Sequence, residues 1–226
     1  MNTNKNYRIS IMGDSISTYE GYNPIWAKVY YKDDVTSDNG LSSVDDTWWE
    51  IVIDSLDSTL CVNNSHSGSL VSGSSYTCAN SEYRCNGLHD ANTPDLILIY
   101  MGTNDRGHGV KIESDDPEDV MTFCGAYRTM LKKIKRNYPN AIVVCGTLLL
   151  GYLQQSAPPP ALPPFNEEVE AYNRTIRALA EEENCLVADL AAFGERYETQ
   201  DTLHPTKNGH LTIAKLWLNC LKRLLP

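Results

Sequence analysis

The chain has 226 residues, enough to bury a sizeable hydrophobic core in one α/β domain, so we predict a single domain over residues 1–226. Its 19 basic and 29 acidic residues give a formal charge of -10, which repels phosphate backbones and anionic membrane surfaces. We therefore expect neither a nucleic acid nor a membrane partner.

Five short apolar runs predict the strands of a buried parallel sheet. They cover 7–12, the stretch around Cys61 and Val62, 95–101, 141–147 and 185–188. Apolar residues recurring at three and four positions predict amphipathic helices over 120–138, 169–179 and 211–221. Asn166 is a plausible cap for the second helix, and Pro205-Thr206 marks the start of the last. Right-handed crossovers between the strands predict a three-layer αβα sandwich.

Short polar motifs follow three of these strands. Gly13-Asp14-Ser15 comes after the first, Gly68 follows the second, and Asn104 lies in Gly102-Thr103-Asn104-Asp105 after the third. In parallel α/β sheets the ligand site lies beyond the carboxyl ends of the strands, so these motifs converge there. His204 follows a longer loop after the last strand, which can return it to the same edge.

The residue types in these motifs suit acyl transfer. Ser15 is a weak nucleophile alone and needs a base, for which His204 is the candidate. Asp201, three residues earlier, can accept from Nδ1 and fix the imidazole tautomer; Asp189 is a rival carboxylate. The backbone N–H groups of Ser15 and Gly68 and the amide of Asn104 are the predicted oxyanion donors.

Taken singly, each motif is an ordinary turn or cap, but their order and placement at strand ends favour a serine esterase. With Ser15, Gly68, Asn104 and His204 in this order, the chain resembles the SGNH hydrolase superfamily, also called GDSL esterases and lipases. The resemblance implies a flavodoxin-like αβα fold with a five-stranded parallel sheet, no cofactor or metal, and an acyl-enzyme mechanism. Characterised members cleave acetyl esters on sugars, lysophospholipids, thioesters or other small acyl groups. Two minor departures are Ile in place of Leu after Gly-Asp-Ser, and an unusual His66.

The substrate prediction depends on an aromatic segment that follows the nucleophile. It contains Tyr19, Tyr22, Trp26, Tyr30, Tyr31, Trp48 and Trp49. Aromatic faces stack on sugar rings or line acyl pockets, although Trp48 and Trp49 also open a helical pattern and at least one is expected in the core. The candidate substrate-binding residues are Tyr19, Trp26, His66 and His108. For His66 and His108, simple loop positions are the alternative.

A small acyl ester, preferably an acetylated sugar, is therefore the expected partner. Eight acids and no Lys or Arg lie between Asp33 and Asp57, which disfavours anionic phospholipids and acyl-CoA. The Pro-rich stretch 157–164 is predicted to be an irregular loop near the site.

Other functions stay open or are disfavoured. A lysophospholipase or thioesterase of the same fold is one alternative, and a non-catalytic carbohydrate-binding module is another. The glycine-rich phosphate loops of nucleotide binders do not occur in the sequence. The G-x-S-x-G of α/β-hydrolases is also missing its second glycine here.

The N-terminus and the cysteines bear on the compartment. Residues 1–8 contain no long apolar stretch or small-residue cleavage site, so no secretory signal is predicted. The seven cysteines lack metal-ligand spacing. We expect reduced thiols in a cytoplasmic protein, while a protein whose leader had been removed would have the same sequence. In an oxidising compartment, Cys78 and Cys85 are the candidate disulfide pair.

Overall fold

The computed structural model describes residues 6–33, 39–154 and 166–225. Its strands in chain order are β1 Arg8–Gly13, β2 Thr59–Asn63, β3 Leu96–Tyr100, β4 Ile142–Gly146, β5 Gly151–Leu153, β6 Leu186–Ala188 and β7 Tyr197–Thr199. Its α-helices are α1 Trp48–Ser55, α2 Glu82–Asn86, α3 Thr103–Gly107, α4 Phe123–Asn137, α5 Glu167–Glu182 and α6 Lys207–Leu224. The predicted Pro-rich loop at 157–164 lies outside the described residues.

The main sheet has five parallel strands in the order β2-β1-β3-β4-β6. This is the doubly wound order of flavodoxin-like folds, with the chain reversing its direction of winding next to β1. Helices cover both faces, which confirms the predicted three-layer αβα sandwich. The five predicted strands are all present, with bounds that differ from the prediction by a few residues at most.

Successive side chains of a strand point to opposite faces of the sheet, and helices bury both faces. In β3, Leu96 and Leu98 pack into a core with residues of α1 and α6. Ile97 and Ile99 pack on the other face with residues of α4 and α5. The run of apolar residues in β3 therefore reflects two cores that share one central strand.

Three large side chains organise the core on the α1 and α6 face. Trp48 stacks on Trp217 with ring centroids 5.3 Å apart, and Trp49 belongs to the same core. All three are fully buried, so both tryptophans of the predicted pair belong to the core. Gly146 at the end of β4 permits this packing, because a Cβ there would lie 2.4 Å from the Trp217 ring.

The ends of the helices follow the sequence signals. The side chain of Asn166 accepts the N–H of Val169 at 3.1 Å, as expected of the cap of α5. Thr206 accepts the N–H of Gly209 at 3.2 Å and caps α6. The cap of the last helix therefore lies two residues after His204, which fixes the end of the loop that carries this histidine.

A second, two-stranded parallel sheet pairs β5 with β7, and the sequence analysis did not predict it. Each strand has only three residues, which is too short for an alternating pattern to stand out. The small sheet anchors the segment that runs from β7 to Thr206.

All seven cysteines carry free thiols, so Cys78 and Cys85 are not paired in this structure. Within residues 6–33, 39–154 and 166–225, none of the helices combines the length and apolar character needed to cross a membrane.

Candidate active site

A chain of hydrogen bonds joins three of the predicted site residues. His204 Nε2 lies 2.9 Å from Ser15 Oγ, and its Nδ1 lies 2.6 Å from Asp201 Oδ2. The other carboxylate oxygen of Asp201 accepts the backbone N–H groups of His204 at 2.7 Å and Leu203 at 3.1 Å. Burial raises the pKa of Asp201, but these hydrogen bonds outweigh it and hold the pKa below its usual range. The ionised carboxylate keeps the proton on Nδ1, which leaves Nε2 free to accept one from Ser15.

The loop that carries His204 is short and closed. Thr199 at the end of β7 forms an antiparallel bridge with Pro205, and the N–H of Gln200 donates to the carbonyl of His204 at 3.1 Å. Thr202 at the tip has a φ of 74°, in the left-handed region that a β-branched residue rarely adopts. Its N–H donates to Thr199 Oγ1 at 3.0 Å, which holds this strained conformation.

Tyr30 supports both Asp201 and His204, a role that the sequence analysis missed. Its ring is stacked on the imidazole of His204 with centroids 3.5 Å apart and planes within 9°. Its hydroxyl donates to Asp201 Oδ2 at 3.2 Å. The next residue, Tyr31, donates its hydroxyl to the carbonyl of Pro205 at 2.9 Å. Membership in the aromatic segment was the only sequence signal for Tyr30, because the contacts join residues about 170 positions apart.

Ser15 begins a single 3-10 turn directly after β1. Asp14 caps this turn by accepting the N–H of Ile16 at 3.0 Å. A Cβ on Gly13 would lie 2.5 Å from the Ser17 side chain and 2.9 Å from Ser65 Oγ, so only glycine fits there. Ser15 is 3% exposed, so the candidate nucleophile is almost completely covered by the surrounding loops.

The two other predicted oxyanion residues lie on neighbouring loops. Gly68 is exposed and has a φ of 77°, which favours glycine at this position. Asn104 lies in the first turn of α3, and its side-chain amide donates to the carbonyl of Ser69 at 2.9 Å. This bond joins the Asn104 side chain to the residue that follows Gly68. Backbone and side-chain N–H groups can stabilise an oxyanion in such an arrangement.

A fully buried arginine ties these loops together, and the sequence analysis missed it. The guanidinium of Arg84 donates to the carbonyls of Gly13 at 3.1 Å and Asn64 at 2.8 Å. It also donates to Ser69 Oγ at 2.8 Å and to the carbonyl of Thr77 at 2.6 Å. Burial lowers the pKa of Arg84 to about 10, which leaves it charged at neutral pH. A single arginine in a short helix has no pattern that would have indicated this role.

Asp105 holds the segment that follows the Gly68 loop. Its carboxylate accepts the N–H groups of Val71 at 2.8 Å and Ser72 at 2.9 Å, and the Ser72 hydroxyl at 2.7 Å. Burial raises the pKa of Asp105. In the Gly-Thr-Asn-Asp motif, Asn104 therefore bonds the residue after Gly68, and Asp105 holds the segment that follows.

The predicted substrate-binding residues fall into two groups. Tyr19 is 2% exposed, donates its hydroxyl to Asp33 and belongs to the core, and its role in substrate binding stays a prediction. Trp26 stacks on His66 with centroids 5.4 Å apart, and His66 Nδ1 accepts the N–H of Lys28 at 3.0 Å. His108 is exposed, with its Nδ1 2.8 Å from the carbonyl of Asn104. Trp26, His66 and His108 therefore lie close to the Gly68 and Asn104 loops.

The rival carboxylate has other partners. Asp189 accepts from both Arg177 Nε at 3.0 Å and Arg177 Nη2 at 2.9 Å. The hydroxyl of Thr147 also donates to Asp189, at 3.1 Å. The structure therefore places Asp201, and not Asp189, next to His204. Across the described residues, no group of three or more His, Cys, Asp or Glu side chains is arranged to hold a metal ion.

Comparisons with known proteins place the chain in a family. The model of the GDSL-like lipase/acylhydrolase family matches residues 7–149. A solved structure of a Bacteroides ovatus protein assigned to the GDSL-like lipases is 26% identical, covers 97% of this chain and 99% of its own, and has a TM-score of 0.75. A similarly assigned structure from Bacteroides uniformis is 24% identical over 96% of both chains, with a TM-score of 0.75.

A third solved structure, a Clostridium thermocellum family 3 carbohydrate esterase, shares the fold at 14% identity over 98% of both chains, with a TM-score of 0.62. No curated protein sequence matches this chain. The family model covers more than half of the 226 residues. The chain belongs to the GDSL-like lipase/acylhydrolase family and is a hydrolase that acts on ester bonds.

Proposed function

We propose that this protein is a serine esterase that removes a small acyl group, preferably acetyl, from a carbohydrate ester. The observation that carries the proposal is the hydrogen-bonded chain from Asp201 through His204 to Ser15 Oγ. It lies at the carboxyl end of β1, the expected place for a ligand in this fold.

In the first half of the proposed reaction, Ser15 Oγ attacks the carbonyl carbon and its proton passes to His204 Nε2. The negative charge that forms on the carbonyl oxygen is stabilised by the N–H groups of Ser15 and Gly68 and the amide of Asn104. The bond to the alcohol oxygen then breaks, and His204 returns the proton to that oxygen. The products are the free alcohol and an acyl-enzyme.

In the second half, water replaces the alcohol. His204 Nε2 takes a proton from water as its oxygen attacks the acyl carbon, and the same donors hold the second oxyanion. The bond to Ser15 Oγ breaks and the proton returns to the serine. Asp201 stays ionised throughout and stabilises the imidazolium that forms in each half.

Three features support a small acyl group and a neutral, sugar-like alcohol. Ser15 is 3% exposed, so a short acyl group meets less steric hindrance there than a long chain. The formal charge of -10 disfavours substrates that carry phosphate, such as phospholipids and acyl-CoA. Trp26 and His66 offer stacked rings near Gly68, and aromatic faces suit sugar rings.

The first experiment tests the chemistry. Wild-type protein is expected to hydrolyse p-nitrophenyl acetate and to be labelled by a fluorophosphonate, whereas Ser15→Ala does neither because it lacks the nucleophile. Ser74→Ala, at an exposed serine outside the site, is the matched control and keeps both properties. Equal labelling of Ser15→Ala would refute the nucleophile assignment, and an inert wild type would favour a binding module.

The second experiment tests the substrate class. Initial rates are compared on acetylated xylo-oligosaccharides, acyl-CoA esters and lysophospholipids at equal concentration. We expect kcat/KM to be about tenfold higher on the sugar acetates, which corresponds to about 1.4 kcal/mol of extra transition-state binding. Comparable rates on all three would contradict the preference for sugars, and a faster rate on the thioester or lysophospholipid would identify that class instead.

A further inference from the structure

Three aromatic side chains form an exposed cluster next to the loop that leads to Gly68. Trp26 and Tyr83 have ring centroids 5.1 Å apart, Trp26 and Tyr76 are 6.1 Å apart, and the two tyrosines are 5.8 Å apart. Tyr76 is 61% exposed and Tyr83 is 51% exposed. We refer to Trp26, Tyr76 and Tyr83 as the aromatic platform. Exposed apolar surface grouped in this way marks a binding surface more often than scattered single residues do.

The platform is held in place from the protein side. The guanidinium of Arg84 lies 5.9 Å from the centroid of the Trp26 ring, within the range of a cation–π contact. His66 stacks on the same ring at 5.4 Å, and its Nδ1 is fixed by the N–H of Lys28. Ligands lose less free energy to ordering when the rings that receive them are already immobilised.

A cavity of about 590 Å³ adjoins the platform. Its volume is within the range of pockets that take small ligands. Its walls include the rings of Trp26 and Tyr83, together with the exposed polar side chains of Glu82, Asn86 and His89. Ring faces combined with amide and imidazole groups match a pyranose, which has apolar C–H faces and a rim of hydroxyls. A fatty acyl chain would instead need a continuous apolar wall.

The cavity is connected to the candidate active site through one loop. Asn64 in the cavity wall lies four residues before Gly68 in the sequence. The N–H of Ser67 donates to the carbonyl of Lys28 at 2.8 Å, which ties this loop to the segment that carries Trp26. The platform therefore flanks the oxyanion loop next to β2, the edge strand of the main sheet.

We propose that the aromatic platform binds a neutral pyranose ring in the alcohol part of the substrate, beyond the sugar unit that carries the acyl group. This inference rests on the proposed carbohydrate esterase function and specifies where the saccharide chain lies. The ring stacks on Tyr83 beside the Trp26 ring, and its hydroxyls bond the Asn86 amide and the His89 imidazole of the cavity. The strongly acidic chain favours neutral over anionic saccharides at this surface.

A binding experiment decides the proposal without turnover. Ser15→Ala protein is titrated with xylotetraose and with cellotetraose by calorimetry. We expect one of them to bind, and adding Tyr83→Ala to weaken its Kd about tenfold because the stacked ring is lost. Tyr83→Phe keeps the ring and is expected to stay within about twofold. Tyr22→Ala is the matched control, because this exposed tyrosine packs on Trp49 and Tyr19 and not on the platform.

Several outcomes would overturn the proposal. These are failure of both saccharides to bind, a Kd that Tyr83→Ala leaves unchanged, and equal weakening by Tyr22→Ala. A second copy of the chain could occupy the platform instead of a saccharide. Sedimentation of the wild type and Tyr83→Ala tests this, because a dimer that dissociates in the variant would identify the platform as a contact between two copies.

A kinetic comparison separates this inference from the proposed function. The ratio of kcat/KM for acetylated xylotetraose to that for ethyl acetate is expected to fall about tenfold in Tyr83→Ala and to stay constant in Tyr22→Ala. Ethyl acetate has no saccharide, so its hydrolysis reports the ester chemistry alone. A wild type that binds the saccharide but hydrolyses neither ester would contradict the esterase and leave the platform supported. Hydrolysis of ethyl acetate without saccharide binding would support the esterase and contradict the role of the platform.

Discussion

The two sides of Ser15 are built differently. On one side, His204 and Asp201 lie on one short loop and bond each other across three positions, and Tyr30 supports both from a distant segment. On the other side, the loops of Gly68 and Asn104 are held by buried groups that are distant in sequence, above all Arg84, which bonds Gly13 at a separation of 71 residues. The pairing of the acid–base residues is thus local in sequence, whereas the oxyanion loops are joined only by groups that are distant in sequence.

The charges on the two sides also differ. Asp201 is exposed enough to be ionised, and its hydrogen bonds lower its pKa. Asp14 on the other side is fully buried, and burial raises its pKa to about 7, while the nearby Arg84 has its pKa lowered to about 10. The energetic cost of burying charge is therefore concentrated beneath the nucleophile and the oxyanion loops.

The largest effect is expected on the acid–base side. Asp201→Asn cannot accept the Nδ1 proton as a carboxylate does, and the wrong tautomer of His204 is then favoured, so kcat for p-nitrophenyl acetate should fall about 10⁴-fold. Asp189→Asn is the matched control and should leave kcat within about threefold, since Asp189 bonds Arg177 and Thr147. Equal losses in the two variants would contradict the assignment of the orienting carboxylate.

The second-largest effect is on the free energy of unfolding, and it comes from the buried carboxyl group of Asp14 on the oxyanion side. The pKa of Asp14 rises from 3.8 to about 7 in the folded protein, so its ionisation opposes folding. Stability linked to this group is fully present below pH 4 and is lost as the pH rises to about 7, by up to about 4 kcal/mol.

Urea unfolding of Asp14→Asn at several pH values between 4 and 7.5 measures this term. The variant keeps an oxygen to accept the Ile16 N–H, and its free energy of unfolding should depend less on pH than that of the wild type. We compare how steeply the free energy of unfolding changes with pH in the two proteins, because the new amide also changes its absolute value. Parallel pH profiles would show that Asp14 is not the titrating group.

Substitutions of Arg84 test whether turnover depends on the hydrogen bonds that this buried side chain makes to the oxyanion loops. Arg84→Met leaves buried carbonyls of Gly13 and Asn64 without their donor, and we expect kcat to fall about 10- to 100-fold with little change in KM. Arg84→Lys keeps the charge but not the fork of donors, so it should recover part of this loss.

Two controls accompany the Arg84 variants. Thermal unfolding by circular dichroism identifies the temperature at which each variant is fully folded, and kcat is measured there. Arg136→Met removes an exposed arginine that pairs with Glu82 on the surface, and it should retain wild-type kcat. If both Arg84→Lys and Arg84→Met were folded and kept the wild-type kcat, the hydrogen bonds of Arg84 would have no part in turnover.

The smallest effect is expected at Tyr30. Tyr30→Phe loses the hydroxyl bond to Asp201 but keeps the ring on His204, so kcat should fall only about threefold. Tyr30→Ala also removes the stacked ring and should cost more. If Tyr30→Phe lost as much activity as Tyr30→Ala, the hydroxyl and not the stacked ring would be the support that matters.

The two sides differ in how much of them the sequence predicts. The parallel sheet and its helices follow from apolar runs and helical periodicity, and the i, i+3 spacing of Asp201 and His204 indicates their pairing. Arg84 and Tyr30 have no such signal, because their contacts are fixed only when distant segments pack. The burial of Tyr19 has no sequence signal either, since an aromatic residue near the nucleophile looks the same in sequence whether it lies in the core or at the surface.

The hydrogen bond between Ser15 and His204 joins residues that are 189 positions apart. A contact of such length closes nearly the whole chain, and the associated loss of chain entropy makes it one of the slower contacts to form in folding. His204 also reaches its place only when the β7 loop and the cap of α6 are complete. Ester hydrolysis should therefore appear late during refolding from urea, after the helical signal has returned, so that activity reports the finished fold and not its early stages.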